Sequence, residues 1–173
     1  MPHPERSTGT KTVLRADLRA NAHYPKSRVI LRWLRAAQTW RARKGLFGRA
    51  GYLLVGGSYK VVTEWVLGVE LPASTEIGPG LRLRHGVGVV VNPATKIGRG
   101  VMIRQHVTLG NRRSSSDCPI IEDDVEIGVG AVIIGAVRIG RGARIGPNAV
   151  VVKDVPPGAV VYSPTSVLRP TAE

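Results

Sequence analysis

The side chains of this 173-residue sequence that could do chemistry are few: four histidines, one cysteine and a short run of carboxylates. A neutral imidazole, with an ordinary pKa near ~6.5, can take a proton from an attacking hydroxyl at cellular pH, so His85 and His106 are candidate bases. His3 and His23 lie near the front without a surrounding motif and read as surface residues. Cys118 could act as a nucleophile, but no histidine stands beside it in sequence, and packing or substrate contact fits it better. Glu122, Asp123, Asp124 and Glu126 could suggest a metal, yet the cluster suits an exposed turn. A three-histidine zinc site would need ligands shared between subunits, because the second half holds only His85 and His106. A single cysteine excludes an internal disulfide framework and thiolate zinc sites, and is compatible with a reducing cytosol. No phosphate-cradling loop of the Walker or dinucleotide type occurs.

These groups must be positioned by a repeating scaffold. Stepping by six from Val91 gives Val91, Ile97, Ile103, Leu109, Ser115, Ile121, Ile127, Ile133, Ile139, Ile145 and Val151, all aliphatic except Ser115. A period of six fits neither a helix nor a simple strand alternation. Small or medium apolar residues (Val125, Ala131, Val137, Ala143, Ala149) fill the site two before, and glycine often follows, as at Ile97-Gly98, Ile127-Gly128 and Ile145-Gly146. An earlier stretch, with Ile77-Gly78 and Leu83, keeps the step but slips by two residues before Val91. The pattern predicts a solenoid in which each hexad supplies a short strand and a turn and three hexads complete a coil of about 18 residues. Its core is thin and aliphatic, in keeping with 21 glycines and only 5% aromatic residues. We expect the glycines to serve the backbone angles of the repeated corner. The polar segment 111–119 reads as a loop thrown out from one corner.

The front of the chain differs. Residues 1–67 carry 13 basic and 3 acidic side chains, against 12 and 9 in 68–173. From Val13 to about Val66, Leu, Arg, Ala and Trp recur at helical spacing, with a break near Asp17 or Asn21 and Pro25. Gly45–Gly51 reads as a loop and Tyr52–Val66 as a further helix. Expected boundaries are a disordered or extended tail over 1–12, a basic α-helical segment over 13–67, the β-solenoid over 68–162, and a C-terminal tail over 163–173. Lys26, Arg28, Arg32, Arg35, Arg41, Arg43, Lys44 and Arg49 make a cationic surface. The simplest expectation is a solvated face whose apolar stripe caps the solenoid. Contact of residues 26–49 with anionic lipid is the rival, since Trp33 and Trp40 suit an interfacial helix. No groove-reading motif accompanies the charge, so nucleic acid is not an expected partner. No apolar run reaches the ~18 residues of a membrane span and the opening MPHPERSTGT does not read as a signal peptide, so a cytoplasmic protein is expected.

The hexads resemble those of the hexapeptide-repeat acyltransferases, which implies a mainly β fold, a left-handed parallel β-helix, with the N-terminal α-helical segment appended. The segment from Gly68 to Val90, with Gly68-Val69-Glu70 and, fifteen residues after Glu70, His85-Gly86, is similar to the opening of serine O-acetyltransferases. That resemblance implies His85 as catalytic base and Glu70 as the carboxylate orienting it. A fifteen-residue spacing is just under one coil, so the two can approach on neighbouring rungs. Glu70 replaces the Asp usual at its position. Further resemblance covers Val107-Thr108-Leu109-Gly110-Asn111, Cys118-Pro119, Ile127-Gly128-Val129-Gly130-Ala131 and Val151–Ala159. Acetyl-CoA in such enzymes lies in a groove between adjacent solenoids of a trimer. Carried over by position, its contacts are Gly110, Asn111, Val129, Arg144 and Pro147, with Lys153 for the nucleotide phosphates. No metal is implied.

Serine acetyltransferases have Asp directly before the catalytic His and His before the loop's Pro, where this sequence has Arg84 and Cys118. An arginine cannot pair with an α-ammonium group as a carboxylate does. Together with a leader containing Asp17-Leu-Arg-Ala-Asn21, these departures resemble the acetyltransferases of colanic-acid-type exopolysaccharide synthesis. The implied function is O-acetylation of a sugar hydroxyl, on a lipid-linked unit at the inner membrane face, with Arg84, His106 and Cys118 as acceptor contacts. The implied assembly is a homotrimer or a dimer of trimers. A serine or other small-molecule O-acetyltransferase, a non-catalytic hexapeptide scaffold and a carbonic-anhydrase-like solenoid are the alternatives.

Overall fold

The computed structural model describes residues 9–164, so the expected tails are covered only in part. Three helices precede the solenoid: α1 (Thr10–Ala20), α2 (Pro25–Ala42) and α3 (Gly45–Lys60), the last running into a wide π-helical turn, Val61–Val66. The break between α1 and α2 falls at 21–24, with Pro25 opening α2. Gly45–Gly51 is helical, contrary to the loop its glycines suggested. The reason is packing: any side chain at Gly48 would meet the backbone of Arg43, and one at Gly51 the ring of Trp40. Close approach of two helices outweighs glycine's poor helix propensity.

Five coils follow. The first holds β1 (Val69–Glu70), β2 (Glu76–Ile77) and β3 (Arg82–Arg84), and the second β4 (Val89–Val91), β5 (Lys96–Ile97) and β6 (Met102–Arg104). The third holds β7 (Thr108–Gly110), β8 (Ile120–Ile121) and β9 (Glu126–Ile127), and the fourth β10 (Val132–Ile134), β11 (Arg138–Ile139) and β12 (Arg144–Ile145). The last has β13 (Val150–Val151), a bridge from Val155 to Ile139, and β14 (Val160–Val161). Stacked coils form three parallel walls: β1-β4-β7-β10-β13, β2-β5-β8-β11 and β3-β6-β9-β12-β14. We call these the first, second and third walls.

The hexad aliphatics and the small residues two before them are buried together, from Leu81 and Leu83 to Ala149 and Val151. Ser115 is the exception because segment 111–119 leaves the coil between β7 and β8. The excursion adds one hexad's length, so Leu109 pairs with Ile133 and Ile97 with Ile121, and phase survives. The glycines after the aliphatics have a reason other than the expected one. A Cβ at Gly128 would lie 2.8 Å from the backbone of Ile145, Gly146 and Pro147 in the next coil. Positive φ is instead found three residues after the aliphatic, at Gly100 and Gly130, and there His106, Asp124 and Asn148 adopt it too.

The leader closes the first coil by polar contacts as much as by its apolar stripe. Asp17, fully buried, accepts Arg35 Nε at 2.8 Å, Gly80 N–H at 2.8 Å and Leu81 N–H at 3.1 Å. Asn21 donates to Leu81 C=O at 2.7 Å and accepts Leu83 N–H at 3.0 Å, so its amide stands in for a missing neighbouring strand on the edge of β3. Ser27 Oγ donates to Leu83 C=O at 2.6 Å. Arg35 also donates to Ile77 and Gly78 carbonyls, which removes it from the cationic surface expected of it. Ile30, Leu31, Leu34 and Ala37 join the solenoid core.

Candidate active site

The two-residue phase slip is a bulge at the corner between β3 and β4. In the next coil two residues, Arg104-Gln105, separate β6's Ile103 from corner residue His106. In the first coil four, Arg84-His85-Gly86-Val87, separate Leu83 from Gly88, which stacks on His106. The extra length is taken up by a tight turn in which Val87 N–H donates to His85 C=O at 2.7 Å. His85 sits there with φ +65° and Gly86 with φ +57°, a left-handed conformation uncommon outside glycine. The bulge lifts the imidazole out of the wall, and His85 is exposed.

One ring from the leader braces it. Tyr24, the residue before α2, meets the His85 imidazole edge to face, with centroids 5.7 Å apart. The Arg84 guanidinium lies 4.1 Å over the centroid of the same tyrosine and donates to Ala20 C=O at 3.4 Å. Sequence reasoning did not single out Tyr24. Its only signal was position, directly before the proline that opens a helix. Asp17 and Asn21, noted for the leader's resemblance, prove to be residues that fasten this leader to the first coil at Gly80, Leu81 and Leu83, just before the bulge.

Glu70 is exposed on β1, its Cα opposite Val90. Within this chain no hydrogen bond or ion pair joins Glu70 to His85. His106 occupies the corresponding corner one coil on and is exposed. Farther along the same edge Val129, Arg144 and Pro147 line one shallow groove of about 320 Å³ with Arg104, Glu126 and Val160. Arg144 contacts the Glu126 carboxylate at 3.8 Å there. With a coil rise of ~4.8 Å, three coils separate the His85 corner from the Pro147 corner, roughly 15 Å along the edge.

The remaining predicted contacts lie across the first wall. Gly110 ends β7, Asn111 begins the excursion and accepts Asn92 Nδ2 at 3.1 Å, and Lys153 is exposed just past β13. The predicted cofactor residues therefore fall into two sets, Val129, Arg144 and Pro147 on the third wall and its corner with the first, and Gly110, Asn111 and Lys153 at the far edge of the first wall. Cys118, at the foot of the excursion, is buried. Burial pushes its thiol pKa up, and Sγ contacts Ser115 C=O at 3.6 Å, so it is suited to packing rather than attack. Three of the four carboxylates of the acidic cluster are committed to arginines: Glu122 to Arg138 at 2.9 Å, Asp123 to Arg141 at 3.3 Å and Glu126 to Arg82 at 3.4 Å.

A family model described as bacterial transferase hexapeptide (six repeats) matches residues 118–153. "Putative colanic acid biosynthesis acetyltransferase WcaB" of Escherichia coli K12 is 34% identical over 150 residues, 84% of this chain and 91% of that protein. A serine acetyltransferase of Helicobacter pylori J99 is likewise 34% identical, over 73% of this chain and 74% of its own. Soybean serine acetyltransferase complexed with serine superposes with a TM-score of 0.71 at 30% identity, over 87% of this chain and 65% of that one. The Neisseria gonorrhoeae enzyme in complex with serine gives 0.71 at 30%, over 89% and 66%. This chain thus spans about two thirds of the solved enzymes' length.

Proposed function

Since this chain belongs to the hexapeptide-repeat acetyltransferases, we propose that it moves an acetyl group from acetyl-CoA to a sugar hydroxyl by direct transfer, with His85 as general base. The observation that carries this reading is the bulge itself: its two extra residues are what distinguish His85 from His106, the exposed left-handed histidine one coil on, and they set the His85 imidazole at the end of a grooved edge. The imidazole takes the acceptor's O–H proton as the oxygen attacks the thioester carbonyl. The tetrahedral intermediate then expels the thiolate, which recovers that proton from the imidazolium, leaving ester and free coenzyme A. Glu70 is assigned the second ring nitrogen, holding the tautomer.

The thioester donor would run along the edge, with Val129, Arg144 and Pro147 beside it. Gly110, Asn111 and Lys153 would come from the facing edge of a second solenoid, and this split supports a trimer with its sites between subunits. Arg144 and Lys153 suit the donor's phosphates, and backbone amides near Gly110 the oxyanion.

Arg84 carries the choice of acceptor. A fixed guanidinium one residue from the base, stacked on Tyr24, opposes an amino acid's ammonium group and suits a hydroxyl-rich or anionic sugar. His106 and Cys118's loop would complete that pocket. Serine is the second reading, favoured by relatives of equal identity. The reading carries with it a cytoplasmic site of action.

The test follows thiol release from acetyl-CoA with serine, sugar nucleotides and oligosaccharides in parallel. A saccharide is expected to support turnover, and turnover with serine alone would overturn the acceptor. His85→Ala should lower turnover about 10²-fold or more with coenzyme A binding retained. Undiminished activity in that variant would remove His85 from the mechanism.

A further inference from the structure

Helix α3 and the turn after it expose an apolar face. Leu46, Phe47, Leu53, Leu54 and Trp65 are between 74% and 89% exposed, and Val61 is more than half exposed. Leu46 and Leu53, and Phe47, Leu54 and Val61, recur every seven residues, about two helical turns, and Trp65 follows Val61 by four, so they form one stripe, while Gly48, Gly56 and Tyr59 face the protein. The tryptophans expected to mark an interfacial helix are otherwise engaged: Trp33 packs on the core and Trp40 lies under Arg43 against Gly51. The outward aromatics are Phe47 and Trp65.

The charge around this stripe is predominantly positive, its one carboxylate, Glu64, lying 4.0 Å from Lys60 Nζ. Between Asp17 and Glu64 there is no acidic residue and there are ten basic ones, of which only Arg35 is buried. Arg49 and Lys60 stand on α3 itself, and Arg41, Arg43 and Lys44 precede it, all exposed. A second copy meeting this face would bring two such cationic leaders together without a counter-charge. An anionic bilayer satisfies both halves of the pattern, taking apolar side chains into its acyl boundary and lysine and arginine at its headgroups. No helix among the described residues is long and apolar enough to cross a membrane.

We propose that residues 45–66 are a membrane-surface helix that docks this protein on anionic lipid through Leu46, Phe47, Leu53, Leu54, Val61 and Trp65, ringed by arginine and lysine. The segment shares only residues 45–49 with the 26–49 stretch that sequence composition suggested and lies mostly C-terminal to it, because α2 turns Ile30, Leu31, Leu34 and Ala37 inward. The inference is independent of which acceptor is acetylated.

The test is co-sedimentation of the full chain with phosphatidylcholine vesicles, with and without about a third phosphatidylglycerol. Binding is expected only to the anionic vesicles, weakening as salt rises. Leu53→Glu/Leu54→Glu and Arg49→Glu/Lys60→Glu should each weaken it about tenfold or more. Circular dichroism checks that they fold, and Trp65→Ser is the milder variant, whose loss of binding reports on the same face. No binding of the wild type at low salt would overturn the proposal, as would equal binding by all variants. It would also fall if Leu53→Glu/Leu54→Glu reduced the subunit number in light scattering while the wild type ignored vesicles, for then a second copy owns the face.

Discussion

Asp17→Ala is the sharpest perturbation of how the leader is held. The carboxylate is fully buried, 2.8 Å from the equally sequestered Arg35 Nε, and also accepts the Gly80 and Leu81 N–H groups. Leaving the buried guanidinium without its partner costs about 3–5 kcal/mol. Each orphaned backbone N–H adds ~1–3 kcal/mol, though these terms do not sum where water enters the gap. Arg35 keeps its bonds to Ile77 and Gly78, which limits the damage. We expect a net loss of about 4 kcal/mol, or a fall in Tm of roughly 10 °C for a chain of this size. Because the coils pair only with their neighbours, the loss should appear as early release of the helices while the solenoid persists. The assay is thermal unfolding followed at helical and strand wavelengths, with acetyl transfer measured alongside, since freeing the leader removes Tyr24 from His85. Asp17→Leu/Arg35→Met should regain part of the stability by removing both charges. A loss below about 1 kcal/mol with a single transition would refute the reasoning that this pair fastens the first coil.

Three further outcomes follow from particular contacts. Gly128→Ala should cost about 2 kcal/mol or more in a denaturant titration, because its methyl meets backbone rather than a movable side chain, and a neutral result would mean that adjacent coils can part there. The hydrogen bond from Arg138, with help from Arg141, holds Glu122 below the ordinary carboxylate range. Its stabilisation is therefore full above about pH 5 and lost as pH falls through the folded value, so Glu122→Gln should lower the urea midpoint near pH 7 and lower it progressively less as the pH falls into the acid range. A gap that does not shrink as the pH falls would contradict the assignment. Cys118→Ala should retain turnover within about threefold, whereas loss of activity with an intact fold would point to covalent catalysis.

Much of this fold is written in one-dimensional spacing. A thin core needs the same aliphatic side chain at every sixth residue, so the repeat from Val91 to Val151 announces the coils, and the two-residue slip before Val91 marks the bulge that exposes His85. Single-sequence reasoning reached Glu70 and His85 through a motif. It could not find Tyr24, which approaches His85 across 61 positions of chain. Nor could it give the glycines their reason, since Gly128 is required by a backbone 18 residues away rather than by its own φ. The helical state of Gly45–Gly51, the inward turn of Arg35 and the division of Gly110, Asn111 and Lys153 from Val129, Arg144 and Pro147 were also decided in three dimensions. Each depends on which surfaces meet when coils stack and helices dock, and local propensity carries no information about that meeting.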